Sequence, residues 1–188
     1  LGGPPDDPAL AALSLPSHAV PAVRAYLRVL EAWADRVNLT GARTPAARAS
    51  LLVGSVLPVA ELVASGTVLD IGSGNGSPGL VLAALRPELG VTLLEPRQRR
   101  WAFLREAARA MGRPDVQVLR LRHDQYPGPP ADTVVLRALT LPAQGLAPLT
   151  APGGQLLVLG RPLAPAVPFL EAPSPAPGIW RYRHPRST

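Results

Sequence analysis

Residues 68–80 read VLDIGSGNGSPGL and set four glycines between two apolar runs. Glycine is needed where the backbone takes positive φ, or where a ligand or second backbone comes too close for a Cβ. Residues 68–71 have the character of a strand, and 80–85 that of a helix body. Between them the chain has to turn sharply. A glycine-rich turn at the carboxyl end of a strand points to a bound ligand. A tight strand-to-helix turn with nothing bound is the plainer alternative.

Working outward, strand-like runs occur at 67–71, 91–95, 116–120, 133–136 and 155–159. Helical segments follow the first two, at 79–86 and 98–111. This alternation predicts an α/β fold with a mostly parallel sheet covered on both faces, its ligand lying at the carboxyl ends of the strands. Upstream, Val20, Val23, Leu27, Leu30 and Val37 recur at helical spacing, with Tyr26 and Trp33 beside the stripe. NLTGARTPAA breaks that helix, Pro45 starts another, and Pro58 is placed to kink or divide it. The expected organisation is a flexible segment over 1–19 and one domain over 20–188. Within that domain, 20–64 form a helical cap beside the sheet and 67–160 the cofactor-binding core. A proline-rich tail follows over 161–188, with an edge strand at 179–183, IWRYR.

Composition narrows the chemistry. The chain has 188 residues and no cysteine, which excludes a disulfide framework and a thiolate zinc site. Its three histidines, His18, His123 and His184, are too far apart in sequence for a local metal motif, so no metal is expected. Every basic residue is arginine, and the net charge is +6. Without lysine there is no Schiff-base chemistry and no phosphate-loop lysine. Arginine offers a bidentate fork to phosphates and guanine edges, so a basic surface permits nucleic-acid binding. Arginines crowd residues 97–122 against Glu106 and Asp115, either as a phosphate-contacting face or as a solvated one. No signal peptide and no uninterrupted apolar stretch of about 20 residues is evident, so a cytoplasmic protein without a membrane segment is expected.

Asp70, Gly72, Gly74 and Gly76 form D-x-G-x-G-x-G, in which Asp70 can anchor loop amides or a ligand amine. The next strand ends in Glu95, about 20 residues on, where a carboxylate would accept hydrogen bonds from a ribose. Together these indicate a nucleoside-containing cofactor. A dinucleotide wants G-x-G-x-x-G directly after the strand, whereas here that spacing starts late, at Gly74. The leading acid and the dense GSGNG lean toward a sulfonium methyl donor, with a dinucleotide as the alternative.

NLT at 38–40, DIGSGNGSPG at 70–79, LLEPRQRRWAFL at 93–104, RHD at 122–124, VVLRAL at 134–139 and APGGQLLVL at 151–159 occur in one order. In that order and spacing the chain resembles the bacterial 16S ribosomal RNA guanine-N7 methyltransferase family, RsmG or GidB, over residues 20 to 160. The resemblance implies a class I methyltransferase fold, Rossmann-like, with S-adenosylmethionine in the crevice. It matches Gly72 and Ser77 to cofactor-contacting positions and Glu95 to the acid that holds the ribose. His123 and Asp124 match the pair beside the adenine, and Arg137 a strand-end arginine facing cofactor and substrate. The implied substrate is a guanine in the 530 loop of 16S rRNA within the 30S subunit, modified by a monomeric enzyme.

Guanine N7 carries an in-plane lone pair and no proton, so its methylation needs placement rather than a general base. The candidate catalytic residues are therefore orienting ones, Arg137 and Asn38, with Arg97, Arg99 and Arg100 for RNA phosphates. The chain departs from the family where Arg-His-x-x-Asp-Ser is usual and residues 50–55 read SLLVGS, and where Lys-Gly is replaced by Gly160-Arg161. Two alternatives follow: a non-catalytic module that binds cofactor and RNA, or a methyltransferase for another substrate.

Overall fold

The computed structural model describes residues 8–34, 36–164, 168–174 and 176–186. Seven strands form one sheet: β1 Thr67–Ile71, β2 Gly90–Leu94, β3 Gln117–Leu119, β4 Ala131–Arg137, β5 Thr150–Leu159, β6 Leu170–Ala172 and β7 Ile179–Arg183. Their order is β3-β2-β1-β4-β5-β7-β6. The first five pair parallel, while β7 runs antiparallel to β5 and β6 antiparallel to β7. The last four residues of β1 are all buried, as expected of a central strand covered on both faces.

Register positions the site. Ile71 lies opposite Leu94 on one side and Leu136 on the other. The residues that follow, Gly72, Glu95 and Arg137, therefore leave the sheet side by side.

The helices are α1 Pro8–Ala11, α2 Val20–Ala34, α3 Pro45–Arg48, α4 Leu57–Leu62, α5 Gly79–Leu85, α6 Gln98–Ala110 and α7 Ala143–Leu146. One sheet face carries α2, α5, α6 and the 45–62 segment. Every residue of α5 is buried, because the cap covers the side turned away from the sheet. The other face has a smaller core, in which Leu146, Leu149, Phe169 and Tyr182 cover Leu69, Ile71, Val134 and Leu156.

Several expectations need revision. Residues 1–7 lie outside the described residues, but 8–19 are not a loose segment: Leu10 and Ala19 are buried and the His18 ring bonds the Leu85 carbonyl. Along α2, Tyr26 is fully buried while Leu27 is only half-buried, so the tyrosine belongs to the packed stripe. The second helix is divided just ahead of Pro58, as expected. It passes through a π turn at Ala49–Val53 and a 3-10 turn at Gly54–Val56, and Pro58 stands in the first turn of α4, where its missing N–H costs nothing. Thr44 caps α3, its hydroxyl accepting the Ala47 N–H. Arg86 closes the other end by donating to the carbonyls of Ala60, Val63 and Ala64. The 18-residue run Pro45–Leu62 is apolar enough to cross a membrane by length and composition. Here Leu52, Val53, Val56 and Val59 spend that apolarity in the core. Finally, 179–183 form β7 but not the edge. Three residues beyond it, Leu170–Ala172, hold that place in a stretch too short and proline-flanked to read as a strand.

Candidate active site

Three glycines of the turn, Gly72, Gly74 and Gly76, take left-handed φ of 71°, 50° and 87°, which folds the chain back over the end of β1. The Leu94 carbonyl accepts from the N–H groups of both Gly72 and Ser73, pinning the turn to β2. Gly79 meets a different demand. A Cβ there would stand closer than 3.0 Å to both Leu93 and Asp70. Asp70 is 1% exposed and its Oδ2 accepts the Gly79 N–H at 3.0 Å, joining strand to helix beneath the turn. Burial pushes its carboxyl up to about 7, although the Gly79 N–H, the Ser73 hydroxyl and Arg137 oppose the rise. Asp70 thus anchors a loop amide from below and does not line the cleft.

Glu95, 3% exposed, sits at the cleft floor. Its Oε2 accepts the Gly74 N–H at 3.0 Å and its Oε1 accepts the Arg97 N–H at 2.8 Å. A carboxylate has about four acceptor positions, so two remain for donors from a ligand.

Arg137 ends β4 half-buried. Its guanidinium donates to Ser77 Oγ at 2.7 Å and to the Leu51 carbonyl at 2.6 Å. Burial lowers its pKa, while Tyr26 and Asp70 favour the charged form. Ser77 in turn donates to the Leu52 carbonyl. That corrects the expectation for Ser77: its hydroxyl is committed to the helical cap and lies outside the cleft lining. Tyr26 and Asn75 complete the clamp. The tyrosine hydroxyl donates to the Asn75 carbonyl, and the asparagine side chain bridges the Leu39 carbonyl to the Ser77 N–H.

The cleft encloses about 540 Å³. Gly72, Gly74, Glu95, Arg97, Arg100, His123 and Arg137 line it; Asp70, Gly76, Ser77 and Asp124 do not. Gly76 instead packs beside Leu80 and Tyr26, and exposed Asp124 pairs with Arg122 at 3.2 Å. Asn38 also stays outside. It is exposed and offers its backbone carbonyl to Arg100 Nη2 at 3.0 Å, while the neighbouring Leu39 reaches the cleft.

The arginines of 97–122 do not form one face. Arg97 and Arg100 line the cleft, Arg99 is exposed outside it, and Arg105 stacks over the Trp101 ring at 4.9 Å. Arg113 is structural, being buried with its guanidinium on the Ala83 carbonyl and Asp115. Trp33 and Trp101 are packing residues. Trp33 meets Phe103 edge-on and donates to Glu106, and Trp101 donates to the Val118 carbonyl. Among the described residues no group of three His, Cys, Asp or Glu could hold a metal. Sequence reading missed the roles of Gly79, Asn75 and Tyr26. Two of them had left a signal, Gly79 as the last of the four glycines and Tyr26 as a tyrosine at the margin of an apolar stripe.

Comparison with known proteins agrees with this geometry. The fold is that of class I methyltransferases: TrmN from Thermus thermophilus superposes with a TM-score of 0.58 at 22% identity, over 84% of this chain and 52% of that one. The small subunit methyltransferase G of Methylobacillus flagellatus is 39% identical over 129 residues, covering 68% of this chain and 63% of the relative. That of Alkalilimnicola ehrlichii is 36% identical over 152 residues, covering 78% and 69%. The chain thus spans somewhat under two thirds of the first relative's length. Residues 19–160 match the family model described as GidB, rRNA small subunit methyltransferase G, and the chain belongs to that family.

Proposed function

We propose that the protein transfers a methyl group from S-adenosylmethionine to N7 of a guanine in 16S ribosomal RNA. Glu95 carries the cofactor part of this reading: a buried carboxylate with two acceptor positions left, facing a cleft of nucleoside size. The residues present fit the cofactor. Glu95 would hold the ribose hydroxyls, with Gly72, Gly74 and His123 lining the same cleft.

When bound, the cofactor would supply an electrophilic methyl group, which the N7 lone pair can accept without loss of a proton. The chain's task is therefore alignment and charge placement. Arg137, fixed by Ser77 and Leu51, positions the wall against which cofactor and base meet. Arg97 and Arg100 at the cleft rim, with Arg99 outside it, meet phosphates. The substrate would be the 30S subunit in the cytoplasm, met by a single copy of the chain.

One observation favours the non-catalytic reading. Leu51 is 48% exposed beside Arg137, an apolar side chain on the wall where the family carries a polar one. Incubation of unmodified 30S subunits and of naked 16S rRNA with methyl-labelled S-adenosylmethionine separates the two. Label recovered as 7-methylguanosine supports the enzyme. Cofactor binding without transfer to any RNA supports the binding module.

A further inference from the structure

Strand β7 raises two arginines from a part of the sheet that no helix covers. In its pairing with β6, Arg181 lies opposite Ala172 and Arg183 opposite Leu170, so these four side chains leave one face. It is the face that the cap covers elsewhere, because Arg181 also lies opposite Leu157 of the cap-side core. The cap stops short of it. Helix α4 ends at Leu62, whose carbonyl accepts from Gln155 Nε2 on β5. Beyond β5 the face opens: Leu170 is 64% exposed, Arg183 is exposed and Arg181 half-buried.

Among the described residues no carboxylate pairs with either arginine; the ion pairs there involve Arg48, Arg86, Arg113 and Arg122. Arg181 donates Nε to Gln155 Oε1 at 3.0 Å, and neither the rest of its fork nor the Arg183 guanidinium has a hydrogen-bond partner among those residues. Glu171, the acid of β6, lies opposite Tyr182 and so leaves the other face. Burial lowers the Arg181 pKa, and the neighbouring Arg183 lowers it further. Residues two apart in a strand stand about 7 Å from each other, a spacing that suits neighbouring phosphates of one nucleic-acid strand. We infer that the β6–β7 face is a second RNA-binding surface, which takes phosphates of the ribosomal RNA on Arg181 and Arg183. A second copy of the chain suits it poorly, since a symmetric contact would set arginines on arginines. The surface is remote from the cleft. Arg183 lies opposite Gln155, four positions before the Leu159 that faces Arg137, or about 13 Å toward the amino end of β5. Across the sheet β7 is four strands from β2, about 19 Å, so only an RNA spanning roughly 20 Å or more meets both this face and Arg97. The inference rests on the proposed function for the identity of the RNA and adds where else the chain grips it.

Binding to 30S subunits and to naked 16S rRNA is measured across a salt series for the wild type, for Arg181→Gln/Arg183→Gln, and for the control Arg28→Gln/Arg109→Gln. The control removes the same charge from exposed positions elsewhere. On both RNAs the β7 variant should lose roughly 1.4–1.8 from the salt slope, as two lost phosphate contacts would, and bind roughly 10-fold more weakly at low salt. The control should stay near the wild type. Thermal melts check folding, and if the double variant does not fold, the exposed Arg183→Gln alone decides, with half the change in slope. A wild-type slope in the folded variant, an equal loss in the control, or a wild type that binds no RNA would overturn the inference. So would a loss on subunits without one on naked rRNA, which would give the face to a ribosomal protein. A wild type that methylates subunits while the variant keeps its slope sinks this surface and spares the proposed function. Slope lost in the variant, in a protein that methylates no RNA, upholds the surface and sinks the methylation reading.

Discussion

The turn over residues 70–79 and the wall built from 49–56 and 137–140 are neighbours, yet they are held in opposite ways. The turn is closed on itself and on β2 by short spans, Asp70 to Gly79, Gly74 to Glu95 and Asn75 to Ser77, and is braced from the cap by several further bonds at Asn75 and Ser77. Most of it is buried, and each glycine answers a steric or backbone demand. The wall depends on one guanidinium reaching back 86 residues to the Leu51 carbonyl, across a π turn. It exposes Leu51 and Leu139 and carries the strained Ala138. A site that must present one small cofactor the same way each time is served by the first kind of construction. One that must admit a base from a large RNA is served by the second, since elements that open are drawn from the weakly held parts of a fold.

The largest effect expected on the turn side is a pH dependence of stability. Asp70 titrates near 7 in the fold and near 3.8 when exposed. Between those values the native chain keeps a proton that the unfolded chain has lost. Its contribution is therefore complete below about pH 4 and falls as pH rises to about 7, by up to about 1.4 kcal/mol per unit. Urea melts across that range should show the decline, and Asp70→Asn should flatten it. An unchanged slope in the variant would remove Asp70 as its source. Next in size, Gly79→Ala should cost about 3 kcal/mol through overpacking against Leu93 and Asp70, whereas Gly41→Ala, with open space around it, should stay within about 0.5 kcal/mol. Equal midpoints for the two would contradict the packing argument.

The contrast also explains what could be read from sequence. The parallel sheet, the turn and Glu95 were legible because their demands are local: glycines at the end of an apolar run, and one acid at the end of the next strand. The wall was not. That Ser77 serves Arg137 and Leu52 instead of the cleft depends on contacts with residues 60 and 25 positions away. Tyr26 reaches Asn75 across 49. Asn38 was singled out by its motif, but it is exposed and does not line the cleft that Leu39 lines. The short edge strand at Leu170–Ala172 exists only because β7 is there to pair with it.

Smaller effects sharpen the ligand side. Glu95→Ala removes acceptors for Gly74, Arg97 and the proposed ribose, so S-adenosylmethionine affinity should fall roughly 10- to 100-fold by calorimetry, at about 1.5–3 kcal/mol per charged contact. Unaltered affinity would place the cofactor elsewhere. The smallest is expected at the exposed surface beside the cleft: Arg99→Ala should lower RNA affinity at low salt and reduce the salt slope by roughly 0.7–0.9, without abolishing turnover. A slope identical to that of the wild type would take Arg99 off the RNA.

The division between a rigid cofactor turn and an Arg137-held acceptor wall is tested most directly by single-turnover methylation of 30S subunits, with RNA affinity measured in parallel. Arg137→Ala should slow the chemical step roughly 100-fold, the scale for losing a group that organises a transition state, while RNA affinity changes little. Arg99→Ala should do the reverse, weakening RNA binding and leaving the single-turnover rate near that of the wild type. Equal effects of the two substitutions on both quantities would contradict the account.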